Sequence, residues 1–233
     1  SSTRLDLLLS ADYHEGVSIY TVAAGEEIVR ICTSHIDRVE ILDTERFAIV
    51  RYGCGLDIHA LSDGKRVDTI EGVDKPLVPV QMGGRLPARM LASGGRGGDY
   101  RILNSELTLS SDRLAKHFPA PSAWAYHPSE PIVLVGESPN CLRCISLDPF
   151  RVVWQNLQEG IILAMAFSPR HDAFFILLMT ANQEYGTIFR VDAATGVTEP
   201  VSDAIYMASG FLVPDPLMLI NNNGRIHHSI DGW

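Results

Sequence analysis

Residues 186–202, GTIFRVDAATGVTEPVS, read as strand, tight turn, strand. Apolar residues alternate through Ile188 and Val191, Ala194-Thr195-Gly196 turns the chain, and a second short strand follows. Period-two alternation closed by a glycine turn is the signature of antiparallel neighbours. The same phrase returns along the chain. Its turns fall at Gly25, Gly64, Glu106, Phe150, Gly196 and Gly232, in steps of 39, 42, 44, 46 and 36 residues. A second ladder runs in phase slightly upstream, at His14-Glu15-Gly16, Gly53-Cys54-Gly55, Gly94 to Gly98, Ser138-Pro139-Asn140, Asn182 to Gly186 and Asn221 to Gly224. The Glu106 rung is the weakest.

Between the rungs lie short segments such as RFAIVRYG, PIVLVGES, AFFILLMT and LMLINNNG, rich in β-branched and aromatic residues and bounded by Gly, Pro, Asn or Asp. No segment sustains helical apolar spacing; residues 111–118, SDRLAKHF, are the one candidate helical turn. A period near 40 residues with four short strands per unit predicts an all-β protein, a β-propeller of about six four-stranded blades. One such sheet cannot bury both its faces alone; packed radially, each blade is covered by two neighbours. LDLLLSAD, near the start, reads as a second strand, so the first blade lacks its innermost strand; the last blade reaches Trp233 before its outer strand. The expectation is one domain over 1–233, closed irregularly or forming part of a larger, seven-bladed ring.

The stretch Ser34 to Gly64 resembles a WD40-type repeat, with His35 and Asp37 standing where that family has its Gly-His dipeptide and the Asp that follows it. AMAFSPRHDAFFILLMT (164–180) and AWAYHPSEPIVLVGES (123–138) are similar to the family's phrase ending the innermost strand, and Val191-Asp192 and Leu147-Asp148 take the place of the Trp-Asp pair. No true Trp-Asp or Gly-His occurs, and residues 75–115 match poorly. The resemblance implies a WD40-like propeller whose loops between second and third strands open on a partner-binding face. It also implies a structural role for His35.

The chain has 233 residues, 46% hydrophobic, enough for a sizeable core, and a formal net charge of −9. Acidity argues against a general nucleic-acid binder, which needs a basic face. No apolar run approaches the about 20 residues a membrane helix needs. The N-terminal SSTRLDLLLSAD lacks a signal-peptide core of adequate length. Four cysteines at irregular spacing point to a reducing compartment, cytoplasmic or nuclear. Cys141 and Cys144 form a CxxC, but neither a second pair nor histidines at ligand spacing accompany it, so they read as ordinary sheet cysteines.

The glycine-rich ASGGRGGDYR (92–101) lacks the Lys-Ser/Thr and helix of a phosphate-binding loop. It does lie among Arg85, Arg89, Arg96 and Arg101, four arginines within 17 residues of an acidic chain. Arginine's planar fork pairs bidentately with carboxylates, so these four are the candidate partner-binding residues, and an acidic protein or peptide is the expected partner. The solvated alternative pairs them with Asp99 or Glu106. His127 and His171 sit beside prolines at strand-end turns; His227 and His228 point to opposite sides of a strand and cannot easily share a metal. Trp124, Trp154 and Trp233 read as inter-blade core. Among the innermost-strand segments RVEILD, KPLVPVQ, SAWAYH, ILAMAFS and IYMASGF, only Glu40 and Asp43 supply carboxylates, too few for a calcium site. No catalytic residue, metal site or cofactor is assigned, and the reading is a non-catalytic protein–protein interaction scaffold, a subunit of a larger complex. The alternatives are a lactonase-like or glycosidase-like propeller hydrolase, marked by channel carboxylates, and a lectin, marked by exposed tryptophans.

Overall fold

The computed structural model describes residues 7–12, 15–21, 24–33, 36–43, 45–51, 55–73, 75–77, 88–93, 99–114, 121–137, 140–179, 185–203, 205–206, 210–214, 217–221 and 226–229. Among these the secondary structure is strand and turn, and no helix is long and apolar enough to cross a membrane. The chain divides into two compact units, Ser1–His117 and Phe118–Trp233.

The first unit holds three antiparallel sheets. Sheet I is β1 (Leu7–Asp12), β2 (Gly16–Thr21) and β3 (Glu27–Ile31). Sheet II is β4 (Ile36–Ile41), β5 (Arg46–Arg51), β6 (Leu56–Ala60) and β7 (Arg66–Ile70). Sheet III is β8 (Lys75–Leu77), β9 (Arg89–Ser93), β10 (Tyr100–Asn104) and β11 (Leu109–Leu114). The second unit holds three more. Sheet IV is β12 (Pro121–Tyr126), β13 (Ile132–Glu137), β14 (Cys141–Leu147) and β15 (Phe150–Leu157). Sheet V is β16 (Ile161–Ser168), β17 (Ala173–Met179), β18 (Tyr185–Val191), β19 (Thr198–Pro200) and β20 (Ile205–Tyr206). Sheet VI is β21 (Gly210–Pro214), β22 (Leu217–Asn221) and β23 (Ile226–Ser229). Each four-stranded sheet is a meander in chain order.

Counting sheet I as second to fourth strands, the first sequence ladder marks the turn between third and fourth strands in sheets I to V. The second ladder marks the turn between second and third strands. Gly232 lies outside the described residues. The repetition extends to hydrogen bonds. Gly25 donates to the Thr21 carbonyl, Gly64 to Ala60 and Gly196 to Asp192, at 2.8, 2.9 and 2.7 Å. In each, the turn's first residue donates to the carbonyl five positions on. This closure puts the glycine at φ 65, 67 and 75°, which L side chains resist.

Two expectations are corrected. Residues 111–114 are not helical but belong to β11, an outer strand whose exposed Ser111, Asp112 and Arg113 leave no apolar alternation to read. IYMASGF is not one strand: Ile205–Tyr206 pairs with β18, so sheet V has two short outer strands, and sheet VI starts at β21. Among the described residues, sheets I and VI have three strands each.

Strand alternation is read out in the cores. On β5, Phe47 and Ile49 pack with sheet I, while Ala48 and Val50 pack with sheet III. On β17, Phe174, Ile176 and Leu178 join sheet IV's Leu134, Leu142 and Cys144, while Ala173, Phe175 and Leu177 join Ile188 and Ile205 on the other face. Sheets buried on both faces need near-continuous apolar strands, which is why AFFILLM is unbroken. Each fully buried Leu, Ile or Phe contributes roughly 1.5–3 kcal/mol of transfer free energy.

Neighbouring sheets also lock through turns. A Cβ on Gly64 would stand 2.3 Å from Val29 Cγ1 of sheet I, and one on Gly196 would stand 2.5 Å from Asn156 Nδ2 of sheet IV. In both units the glycine turn of one sheet therefore sits directly on the outer strand of the sheet before it. The first strands of sheets II, IV and V share a register shift near their starts. In sheet IV it carries Ser122, whose hydroxyl donates to the carbonyls of Gly136 and, across the sheet gap, Ile162.

Candidate functional site: a cleft between sheets IV and V

Of the four sequence-selected arginines, Arg85 and Arg96 lie outside the described residues. Arg89 is exposed at the start of β9 and aligns with Asn104; Arg101, half-buried near the start of β10, aligns with Ala92. The pair is thus three register steps apart, about 10 Å at strand rise. Arg101 Nε is buried without a hydrogen-bond partner. Asp99 pairs with Arg113 at 3.6 Å. The glycine-rich stretch does join second and third strands, β9 and β10, although residues 94–98 lie outside the described residues.

The CxxC is built into the sheet. Cys144 and Leu142 face sheet V, which places Cys141, three residues before Cys144, on the opposite face of β14. Two thiols on opposite faces share neither a metal nor a disulfide, and both are free. Burial pushes the Cys144 thiol up to about 11 and raises that of Cys141. Cys32 is exposed; Cys54 lies outside the described residues, as does His35. Asp43 is held in the turn after β4, where its Oδ2 pairs with Arg46 at 2.7 Å. Among the described residues no group of three His, Cys, Asp or Glu converges to hold a metal. Trp154 is a sheet–sheet clamp, Nε1 donating to the Ala193 carbonyl at 2.8 Å. Trp233 lies outside the described residues.

A concave feature lies in the second unit. A cleft of about 750 Å³ opens between sheets IV and V. One wall is the turn after β12, residues 127–131; the facing walls are the turn after β16, residues 169–172, and the glycine turn 192–197. The first wall is shaped by His127. Its Nδ1 accepts the backbone N–H of Glu130 at 2.9 Å and of Ser129 at 3.3 Å, so a neutral ring carries its proton on Nε2, 3.8 Å from Asp172 Oδ1. The ring stands edge-on to Phe167 at 4.6 Å, which fixes its plane. Asp172 sits at φ 45°, a conformation Asp tolerates better than most residues, with its side chain exposed.

The glycine turn is held from two sides. Asp192 Oδ1 accepts the N–H groups of Ala194 and Thr195 at 2.9 and 2.8 Å, and these bonds, Thr195's first, keep its carboxyl below the usual range. From sheet IV, Trp154 holds Ala193 and Asn156 Nδ2 donates to the Gly196 carbonyl at 3.0 Å. The floor is apolar, with Phe167, Phe174 and Cys144, and Val153 and Val197 stand 43% and 56% exposed at the margin. Glu130, Asp172, Asp192 and Glu199 face one cation, Arg190, which aligns across the strand pair with Glu199. The arrangement offers preformed apolar contact under a negative rim. Sequence reading marked His127 only as a turn residue and missed the cleft.

No family model matches the chain, and no match to it was found among the curated proteins. Solved structures do match. A chain of the structure titled "Crystal Structure of Mitotic Checkpoint Complex" is similar with a TM-score of 0.73 and 12% identity, over 96% of this chain and 71% of that one. Likeness at that identity shows the fold alone, a WD40-like, propeller-like all-β architecture. In all, 1055 solved chains match, so the fold by itself selects neither partner nor chemistry.

Proposed function

We propose that the chain is a non-catalytic protein-interaction platform, a subunit of a larger assembly, built as a propeller of about six blades. The observation that carries this reading is the preformed cleft between sheets IV and V, held by the Trp154 and Asn156 clamps and lined with exposed valines. A surface that needs little ordering loses less entropy on association. Similarity to a chain from a multiprotein complex supports the same reading. The free thiols at Cys32, Cys141 and Cys144 fit work inside the cell, in cytoplasm or nucleus. Arg85, Arg89, Arg96 and Arg101, of which Arg89 is exposed, are the second candidate contact toward acidic groups.

The test is affinity capture from native lysate by the intact chain, beside a variant with Arg85, Arg89, Arg96 and Arg101 all changed to Glu and shown by circular dichroism to fold. A stoichiometric protein partner is the expected result; its loss in the variant places the contact at the arginines. Absence of any partner, with hydrolytic activity in a substrate screen, would overturn the platform reading.

A further inference from the structure

The turn after β4 in sheet II and the turn after β12 in sheet IV are built alike. In the first, Asp43 Oδ1 accepts the N–H groups two and three positions on, Glu45 and Arg46, at 2.8 and 2.7 Å. In the second, His127 Nδ1 accepts the N–H groups two and three positions on, Ser129 and Glu130. Glu130 thus takes the same hydrogen-bond step as Arg46, although it lies within its turn, two residues before β13, whereas Arg46 opens β5. The difference is chemical. Arg46 is held by Asp43 through two bonds, at 2.9 and 2.7 Å, and its guanidinium reaches the Ser105 carbonyl in the third-to-fourth-strand turn of sheet III, at 3.4 Å. At the junction of sheets II and III the chain thus supplies its own cation. At the junction of IV and V the corresponding turn presents a carboxylate toward the corresponding turn 192–197, and a cleft lies between them.

We propose that this cleft receives a lysine or arginine side chain of a protein partner, flanked by an apolar residue. Charge selects the occupant: four lining carboxylates stand against the single guanidinium of Arg190. The incoming cation lies near Glu130 and Asp172, and its apolar neighbour covers Val153 and Val197. The proposal rests on the platform reading and names the partner chemistry of its cleft.

The experiment is fluorescence anisotropy of the intact chain with a labelled Gly-Ser-Val-Arg-Val-Ser-Gly peptide, and with counterparts carrying Val-Glu-Val or Ser-Arg-Ser at the centre. Glu130→Arg puts an internal guanidinium in the cleft wall, and Val197→Asp removes apolar cover; both positions are exposed, and unchanged thermal melting verifies folding. Glu15→Arg, an exposed change of the same charge in the first unit, is the control for net-charge attraction. The Val-Arg-Val peptide is expected to bind best, with about tenfold loss in each cleft variant and less than about twofold in the control. Equal loss in Glu130→Arg and Glu15→Arg, or no preference for Val-Arg-Val, overturns the proposal. A captured partner that survives Glu130→Arg also overturns it while leaving the platform reading intact.

Discussion

At the scale of single residues, Gly196 carries two constraints at once. Its φ of 75° costs a non-glycine residue about 1–2 kcal/mol. A Cβ there would also meet the Trp154 ring at 2.7 Å. Gly196→Ala is therefore expected to lower the melting temperature and shift tryptophan emission as the Trp154–Ala193 bond is disturbed; an unchanged melt would show that the turn is not clamped. The glycine was legible in the sequence, but the reason for it was not, because Trp154 lies 42 residues upstream. Cysteine chemistry follows burial in the same way. With the Cys144 thiol near 11, native iodoacetamide labelling at pH 8 should modify Cys32 and spare Cys141 and Cys144 until denaturant is added. Mass mapping that finds Cys144 labelled in the folded protein would contradict its place in the core.

At the scale of elements, turns were the most readable feature and outer strands the least. The third-to-fourth-strand turns of sheets I, II and V hold a positive φ, and glycine announces them. In sheet III that conformation is taken by Leu107, at φ 63°, whose buried side chain joins the core. The Glu106 rung was weak because a packed leucine stands where sheets I, II and V put glycine. Outer strands such as β7 and β11 have one strand neighbour and mostly exposed side chains, so no alternation marks them. The Asp192 turn gives a pH prediction. Its carboxyl is depressed in the folded chain, so its contribution is present above the ordinary carboxylate value near 3.8 and is lost as pH falls through the folded value. Asn at this position keeps an acceptor but not the charge. Wild type should melt above Asp192→Asn at pH 7, and the gap should close below about pH 4. A gap that stays constant to pH 2 would show that the charge is irrelevant to the turn.

At the scale of the whole molecule, the repeat was legible and the cleft was not. Two ladders of turn residues report a period, and a period implies stacked sheets. The cleft depends on the chemistry that the turns present, Asp43 with Arg46 in one and His127 with Glu130 in another, and their hydrogen bonds reveal that difference. Stacking also dictates how damage spreads. Phe174 is 1% exposed, stands edge-on to Phe167 at 4.9 Å, and lies in the core that sheets IV and V share. Truncating a buried Phe to Ala costs about 3–5 kcal/mol. In a repeat architecture stability is a sum of units and nearest-neighbour interfaces, so the loss belongs to the interface rather than to β17 alone. Phe174→Ala should therefore speed hydrogen exchange of amides in β13 and β14 of sheet IV together with those in β16 and β18 of sheet V. Exchange that rises only in sheet V would mean that sheet IV holds its structure without this neighbour, and that burial of both faces is not what sustains each sheet.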